Sequence, residues 1–179
     1  MPYGDSSPFN PTTDINVEDI FNAASSAAAQ NPSARGEANA KKLTFGAAQN
    51  TVSDPAMIAA DGTVTINETG LYRFKFSFQF GRTGSGGTAK LLFRISNNDV
   101  QLGRTISVSL INIDAVQYFE NDTWIYLPAG QTLQADVMRD LSGADDGGCS
   151  GGLIPTDEGA GTWDDAPACQ LILSRWVSQ

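Results

Sequence analysis

Residues 70–81, GLYRFKFSFQFG, constrain the fold more than any other stretch of the chain. From Tyr72 the apolar side chains fall on every second position, Tyr72, Phe74, Phe76, Phe78 and Phe80, with Arg73, Lys75, Ser77 and Gln79 between them. A period of two belongs to a β-strand with one face in an apolar interior and the other toward water. An aromatic ladder of this length needs a second layer to cover it, so the strand predicts a sandwich in which these rings are core and not a ligand-stacking platform. Residues 88–96 repeat the pattern, with Ala89, Leu91, Phe93 and Ile95 on one side.

Between the two strands lies the glycine-rich segment GRTGSGG. The interval from Gly81 to Gly86 imitates the start of a phosphate-binding loop, but Gly87 stands where that motif requires lysine. A strand follows where the motif requires a helix N-terminus, whose amides and dipole hold the anion. The segment therefore reads as the turn of a flexible hairpin.

Further strands are predicted near 42–47, 63–68, 105–113, 115–127, 131–140 and 168–177, with breaks at Asp61-Gly62, Glu68-Thr69-Gly70, Asn97-Asn98-Asp99 and Pro128-Ala129-Gly130. Residues 1–40 read differently. Pro2, Pro8, Pro11 and Pro32 surround an alanine-rich centre in which Val17, Ile20, Phe21, Ala24, Ala27 and Ala28 recur at helical spacing. Asp14 or Asn16 is placed to cap a short helix and Asn31-Pro32 to stop it. So thin an apolar stripe does not sustain a helix alone. The chain is accordingly divided into an N-terminal anchoring arm, 1–40, and an all-β body, 41–179. Val17, Ile20, Phe21 and Ala24 are the candidate partner contacts.

Composition removes most enzyme classes. The 179 residues contain no histidine, so a Ser/His/Asp or Cys/His site is not available, and the commonest metal ligand is missing. A net charge of −9 argues against nucleic acid as a partner. No apolar run is long enough to span a membrane, and the N-terminal residues lack the basic and apolar regions of a signal peptide, which points to synthesis in a cytosol. Cys149 and Cys169 are spaced so that one bridge is feasible, although a cytosolic product normally stays reduced. The segment 141–168 carries Asp145, Asp146, Asp157, Glu158, Asp164 and Asp165 on a glycine-rich backbone. It lacks the alternating ligand spacing of a calcium loop, and nothing in it sets two carboxylates at glycosidase separation, so it reads as a solvated acidic loop in which Trp163 marks a docking point. Trp124, Tyr126 and Trp176 are either core or subunit contacts. No catalytic, cofactor-binding or metal-binding residue is expected.

Three signals in order, VTINETGLYRFKFSFQF, LPAGQTLQADV and CQLILSRWV, resemble those of the C1q and tumour-necrosis-factor jelly roll over residues 42–179. Gly70, Tyr72 and Phe74 match the family's central strand, Leu127 and Gly130 the turn into a late strand, and Leu171 with Leu173 its returning last strand. The resemblance implies an antiparallel jelly-roll sandwich that forms a threefold homotrimer, of the kind also found in bacteriophage fibres and capsid decoration proteins. Combined with the arm, it implies a non-enzymatic virion component, assembled in the host cytoplasm. The expected role is a capsid decoration or cement protein held on the major capsid protein or another virion protein. The alternative is a head-fibre or tail-fibre tip that binds a host receptor or glycan.

Overall fold

A computed structural model describes residues 16–24, 28–46, 55–82, 89–110, 116–141, 151–156 and 166–177. Most of this is strand: β1 (Asn16–Ala24), β2 (Lys41–Lys42), β3 (Ala56–Ile58), β4 (Val64–Ile66), β5 (Gly70–Arg82), β6 (Ala89–Asn97), β7 (Val100–Leu110), β8 (Gln117–Leu127), β9 (Thr132–Arg139), β10 (Gly151–Leu153) and β11 (Cys169–Val177). A 3-10 turn, Glu37–Asn39, precedes β2.

The strands form two antiparallel sheets, one of them centred on β5. β8 pairs along one edge of β5 from Gly70 to Phe80. The other edge takes β11 from Tyr72 to Phe78 and then β10 from Phe80 to Arg82, while β1 adds itself outside β11. The second sheet runs β3-β4-β9-β6-β7, with β2 also paired to β9. Tyr72, Phe74, Phe76, Phe78 and Phe80 all point between the sheets and are at most 2% exposed. Phe76 is stacked between Phe74 and Phe78 at ring-centroid distances of 6.2 and 5.8 Å, and meets the edge of Phe93 from the opposite sheet at 5.7 Å. Leu91, Phe93 and Ile95 of β6, Leu133, Ala135 and Val137 of β9, and Leu43 and Phe45 complete the interior. The ladder read from the sequence is core, and the architecture is the antiparallel jelly-roll sandwich.

Local chemistry closes the turns. β6 and β7 are joined by Asn98-Asp99, with φ of 46° and 64°. Those signs make a two-residue turn of the handedness that matches strand twist, and Asn and Asp tolerate it better than other non-glycine residues. Asn98 also accepts a 2.7 Å hydrogen bond from the Thr132 hydroxyl, fastening the turn to β9. Between Phe93 and Ile95 the partner strand jumps from Ile106 to Leu102, so β7 bulges, and Gly103 supplies the φ of 65°.

Three expectations need correction. The helix placed after Asp14 is instead β1. Its register against β11 shifts between Asp19 and Phe21, so Ile20 and Phe21 both turn inward, 1% and 3% exposed. A bulge puts adjacent residues on one face and so imitates the i, i+3, i+4 spacing of a helix. The glycine-rich segment does not close a hairpin: β5 and β6 lie in different sheets, and the connection, whose residues 83–88 fall outside the described ones, carries the chain across the sandwich. The strand expected over 42–47 is paired only at Lys41–Lys42, although Leu43 and Phe45 remain buried, and the short β3 and β10 had no periodicity to announce them.

Phe76→Ala is expected to lower unfolding free energy by about 3 to 5 kcal/mol in a denaturant titration, the usual range for a truncated buried phenylalanine. Phe21→Ala is expected to cost a similar amount, roughly 3 kcal/mol or more, because its ring sits in the common core and not on an outer surface.

Candidate self-association face

The alternation that sends the β5 rings inward sends Leu71, Arg73, Lys75, Ser77 and Gln79 outward. Register then fixes their neighbours. On β8, Tyr126 stands beside Leu71, Trp124 beside Arg73, Asp122 beside Lys75, Glu120 beside Ser77 and Tyr118 beside Gln79. On β11, Ser174 stands beside Arg73 and Ile172 beside Lys75, and Trp176 lies one step beyond Arg175. Val17 of β1 pairs with Trp176.

This face divides along its length. One end is apolar and unusually open to solvent: Val17 and Trp124 are each 41% exposed, Trp176 40% and Tyr126 67%. Trp124 and Trp176 meet edge to face with centroids 6.4 Å apart, and the Arg73 guanidinium lies 6.0 Å from the centroid of the Trp124 ring. Beside them a groove of about 390 Å³ runs along Thr69, Gly70, Leu71, Arg175, Trp176 and Val177. An exposed aromatic cluster of this kind makes the face a candidate contact surface.

The other end is a ladder of ion pairs. Arg73 grips Asp122 with two parallel hydrogen bonds, Nε to Oδ1 at 2.9 Å and a terminal nitrogen to Oδ2 at 2.5 Å. Lys75 reaches Glu120 at 3.2 Å, and the Ser174 hydroxyl donates to Asp19 at 2.8 Å. The Arg73 hydrogen bonds hold the Asp122 carboxyl below its ordinary range against the opposing effect of burial, and the same bonds raise the guanidinium.

A second open surface lies at the mouth of the sandwich, where β8 and β7 are the outermost strands of their sheets. Asn121, Thr123 and Ile125 of β8 face Leu102 and Ile106 of β7 across a cleft of about 360 Å³. Phe119, Ile125, Leu102, Ile106 and Val108 are only partly buried there. Both strands have a partner along one edge alone among the described residues. By contrast, the depression of about 170 Å³ on the outside of the second sheet contains Arg94, which Glu37 at 2.8 Å and Asp136 at 3.4 Å already hold.

The sequence-based candidates fall in different places. Val17 lies on the open aromatic end, Ile20 and Phe21 inside the core, and Ala24 at the last residue of β1, paired with Gln170. Trp124, Tyr126 and Trp176, left open between core and subunit contact, share one outer face. Their outward direction follows from the β5 register and is invisible without it. The six acidic residues of the late loop, Trp163 and Cys149 lie outside the described residues. Cys169 is buried, its sulfur 3.3 Å from the Gln30 amide nitrogen. Among the described residues no group of three or more acidic, cysteine or histidine side chains is placed to hold a metal, and no helix is long and apolar enough to cross a membrane.

The layered order of strands defines the class: a jelly roll of the tumour-necrosis-factor type. Among solved structures, Eiger TNF from S. frugiperda superposes with a TM-score of 0.54 at 15% identity, over 90% of this chain and 95% of that one. Murine APRIL at pH 8.0 gives 0.51 at 10% identity, over 89% and 99%, and murine APRIL at pH 5.0 gives 0.52 at 9%, over 88% and 98%. No protein-family model matches the sequence, and no curated protein matches it significantly.

Because Asp122 and Arg73 are both more than a third exposed, Asp122→Asn is expected to change protomer stability by no more than about 1 kcal/mol, measured by chemical denaturation.

Proposed function

We propose that this chain is a non-enzymatic structural protein that assembles with copies of itself through the outer face of the β5 sheet, and that the assembly is a threefold trimer. The observation that carries the reading is the open cluster of Val17, Trp124, Tyr126 and Trp176 on the outer face of a sheet whose central strand, β5, packs its other face into the core. Such rings are exposed at a cost that burial against a partner removes, at about 25 cal/mol per Å² of apolar surface. The partly open β7–β8 cleft offers a complementary, different surface. When two unlike patches on one protomer fit each other, successive copies join head to tail and close into a ring if the rotation allows. The number three is what the jelly-roll resemblance implies.

We further propose that the trimer is a component of a bacteriophage virion, a capsid decoration or cement protein in preference to a fibre tip. The absence of histidine, the acidic composition and the proline-punctuated N-terminal segment support this reading. Attachment to the capsid or another virion protein is assigned to the N-terminal segment. Ile20 and Phe21 serve it indirectly, by locking β1 into the sheet, and Val17 stands nearest the surface. Deleting residues 1–15 leaves β1 intact, so the truncated protein is expected to fold and self-associate but not to co-sediment with virions stripped of the native protein. Undiminished co-sedimentation would move the anchor to the jelly roll.

Sedimentation equilibrium of the full chain is expected to give about three times the mass of 19.0 kDa, and Trp124→Ala with Tyr126→Ala is expected to shift it toward one protomer while far-ultraviolet circular dichroism stays unchanged. A single-protomer mass for the native chain at tens of micromolar would refute the reading.

A further inference from the structure

We propose that assembly through this face is released by acid, with Asp122 and Glu120 of β8 as the groups whose protonation opens the contact. The inference rests on the self-association reading and adds its regulation. Among the described residues, the charged groups projecting from this face are near one another. Asp122 faces Arg73 and Lys75 of β5, Glu120 faces Lys75 and receives a 3.2 Å hydrogen bond from the Tyr118 hydroxyl, and Asp19 of β1 accepts from Ser174 while adding to the field at Arg73. β11 contributes Gln170, Ile172, Ser174 and Trp176 to the same face, none of them charged.

At neutral pH the three carboxylates and two cations leave one net negative charge per protomer, with each cation paired. Protonation of the carboxylates leaves Arg73 and Lys75 alone, two positive charges per protomer. In the isolated chain this is tolerable, because the side chains of Arg73, Asp122, Lys75 and Glu120 are 33% to 40% exposed and water solvates what protonation unpairs. Once a second copy covers the face, that solvent is gone, and an unpaired cation without water is costly. The copies therefore bear the cost and the isolated protomer escapes it.

The direction follows from linkage. Asp122 is held below its ordinary range by Arg73 already in the separate protomer, and exclusion of solvent by a second copy favours the ionised pair further, so the contact is intact at neutral pH and is lost as pH falls below the ordinary carboxylate value. With no histidine in the chain, there is no corresponding step between pH 6 and 7. Each additional proton bound by the separated state changes the association constant about tenfold per pH unit.

The test is sedimentation of the full chain from pH 7.5 to about pH 2.5, through and below the ordinary carboxylate range, with circular dichroism on the same samples, alongside the double variant Glu120→Gln/Asp122→Asn. The wild type is expected to lose its assembled species only as pH falls below about 4, with the β-sheet spectrum retained. The double variant, whose amides cannot ionise, is expected to sediment mainly as one protomer already at pH 7.5 and to show no further pH response. If the wild type unfolds together with dissociation, the variant at pH 7.5 decides. Assembly of a folded wild type that persists to about pH 2.5, well below the ordinary carboxylate range, or a variant that assembles at pH 7.5 as tightly as the wild type, would overturn the inference while leaving the self-association reading intact. A wild type that is one protomer at pH 7.5 would overturn the reading itself.

Discussion

The structure depends on hiding the aromatic ladder of β5. Tyr72, Phe74, Phe76, Phe78 and Phe80 present a continuous apolar strip that one sheet cannot bury alone. A second sheet therefore lies over it, and Phe45 and Phe93 reach across the interior to Phe76. Both edges of β5 are paired, β8 along one and β11 followed by β10 along the other. Tyr72 shows how strict the enclosure is. Burial raises its hydroxyl pKa, so it stays a proton donor, and its oxygen lies 2.9 Å from the Pro55 carbonyl and 2.5 Å from that of Glu68 at the lip of the sandwich. A buried hydroxyl without such acceptors would be a liability.

The same constraint determines the outer surface. With a side-chain period of two, fixing the rings inward fixes Leu71, Arg73 and Lys75 outward, and antiparallel register then selects which residues of β8 and β11 join them. A slip of one residue would bury Arg73 and Lys75 and expose the phenylalanines. The ion-pair ladder and the tryptophan pair are therefore consequences of one register. The fold also leaves its weakest points together: β8 and β7 end their sheets on the same side, and the residues facing across the gap are only half buried. An open aromatic face and an open cleft on one small body supply the two unlike surfaces that a closed ring of copies requires.

How much the sequence disclosed depended on whether local pattern and tertiary environment agreed. The β5 ladder, β6, β9 and β11 were legible because each buries one clean face, and the order of their signals resembled the jelly roll now seen. β1 was misread because a bulge at Ile20 made two adjacent residues inward-facing, a spacing that periodicity assigns to a helix. The crossing from β5 to β6 was misread because a glycine-rich connection carries no information about which sheet its ends join. Trp124 and Tyr126 sit on alternate positions with Asp122 and Glu120, so sequence alone gives them one side of a strand without saying whether that side is inner or outer. Only the pairing of Tyr72 with Ile125 and of Arg73 with Trp124 settles it. The β7–β8 cleft is a property of two strand ends meeting in space, for which no linear signal exists.

Hydroxyl-radical footprinting of the aromatic face across a dilution series tests the central claim most directly, because it reports which side chains a second copy covers and at what concentration. The account predicts that Trp124, Tyr126 and Trp176 are protected together as the protein concentrates, while Met57, exposed on β3 of the opposite sheet, is labelled equally at every concentration. Labelling of the three aromatic residues that stays at its dilute-limit rate while sedimentation shows an assembled species would place the contact elsewhere and contradict the account.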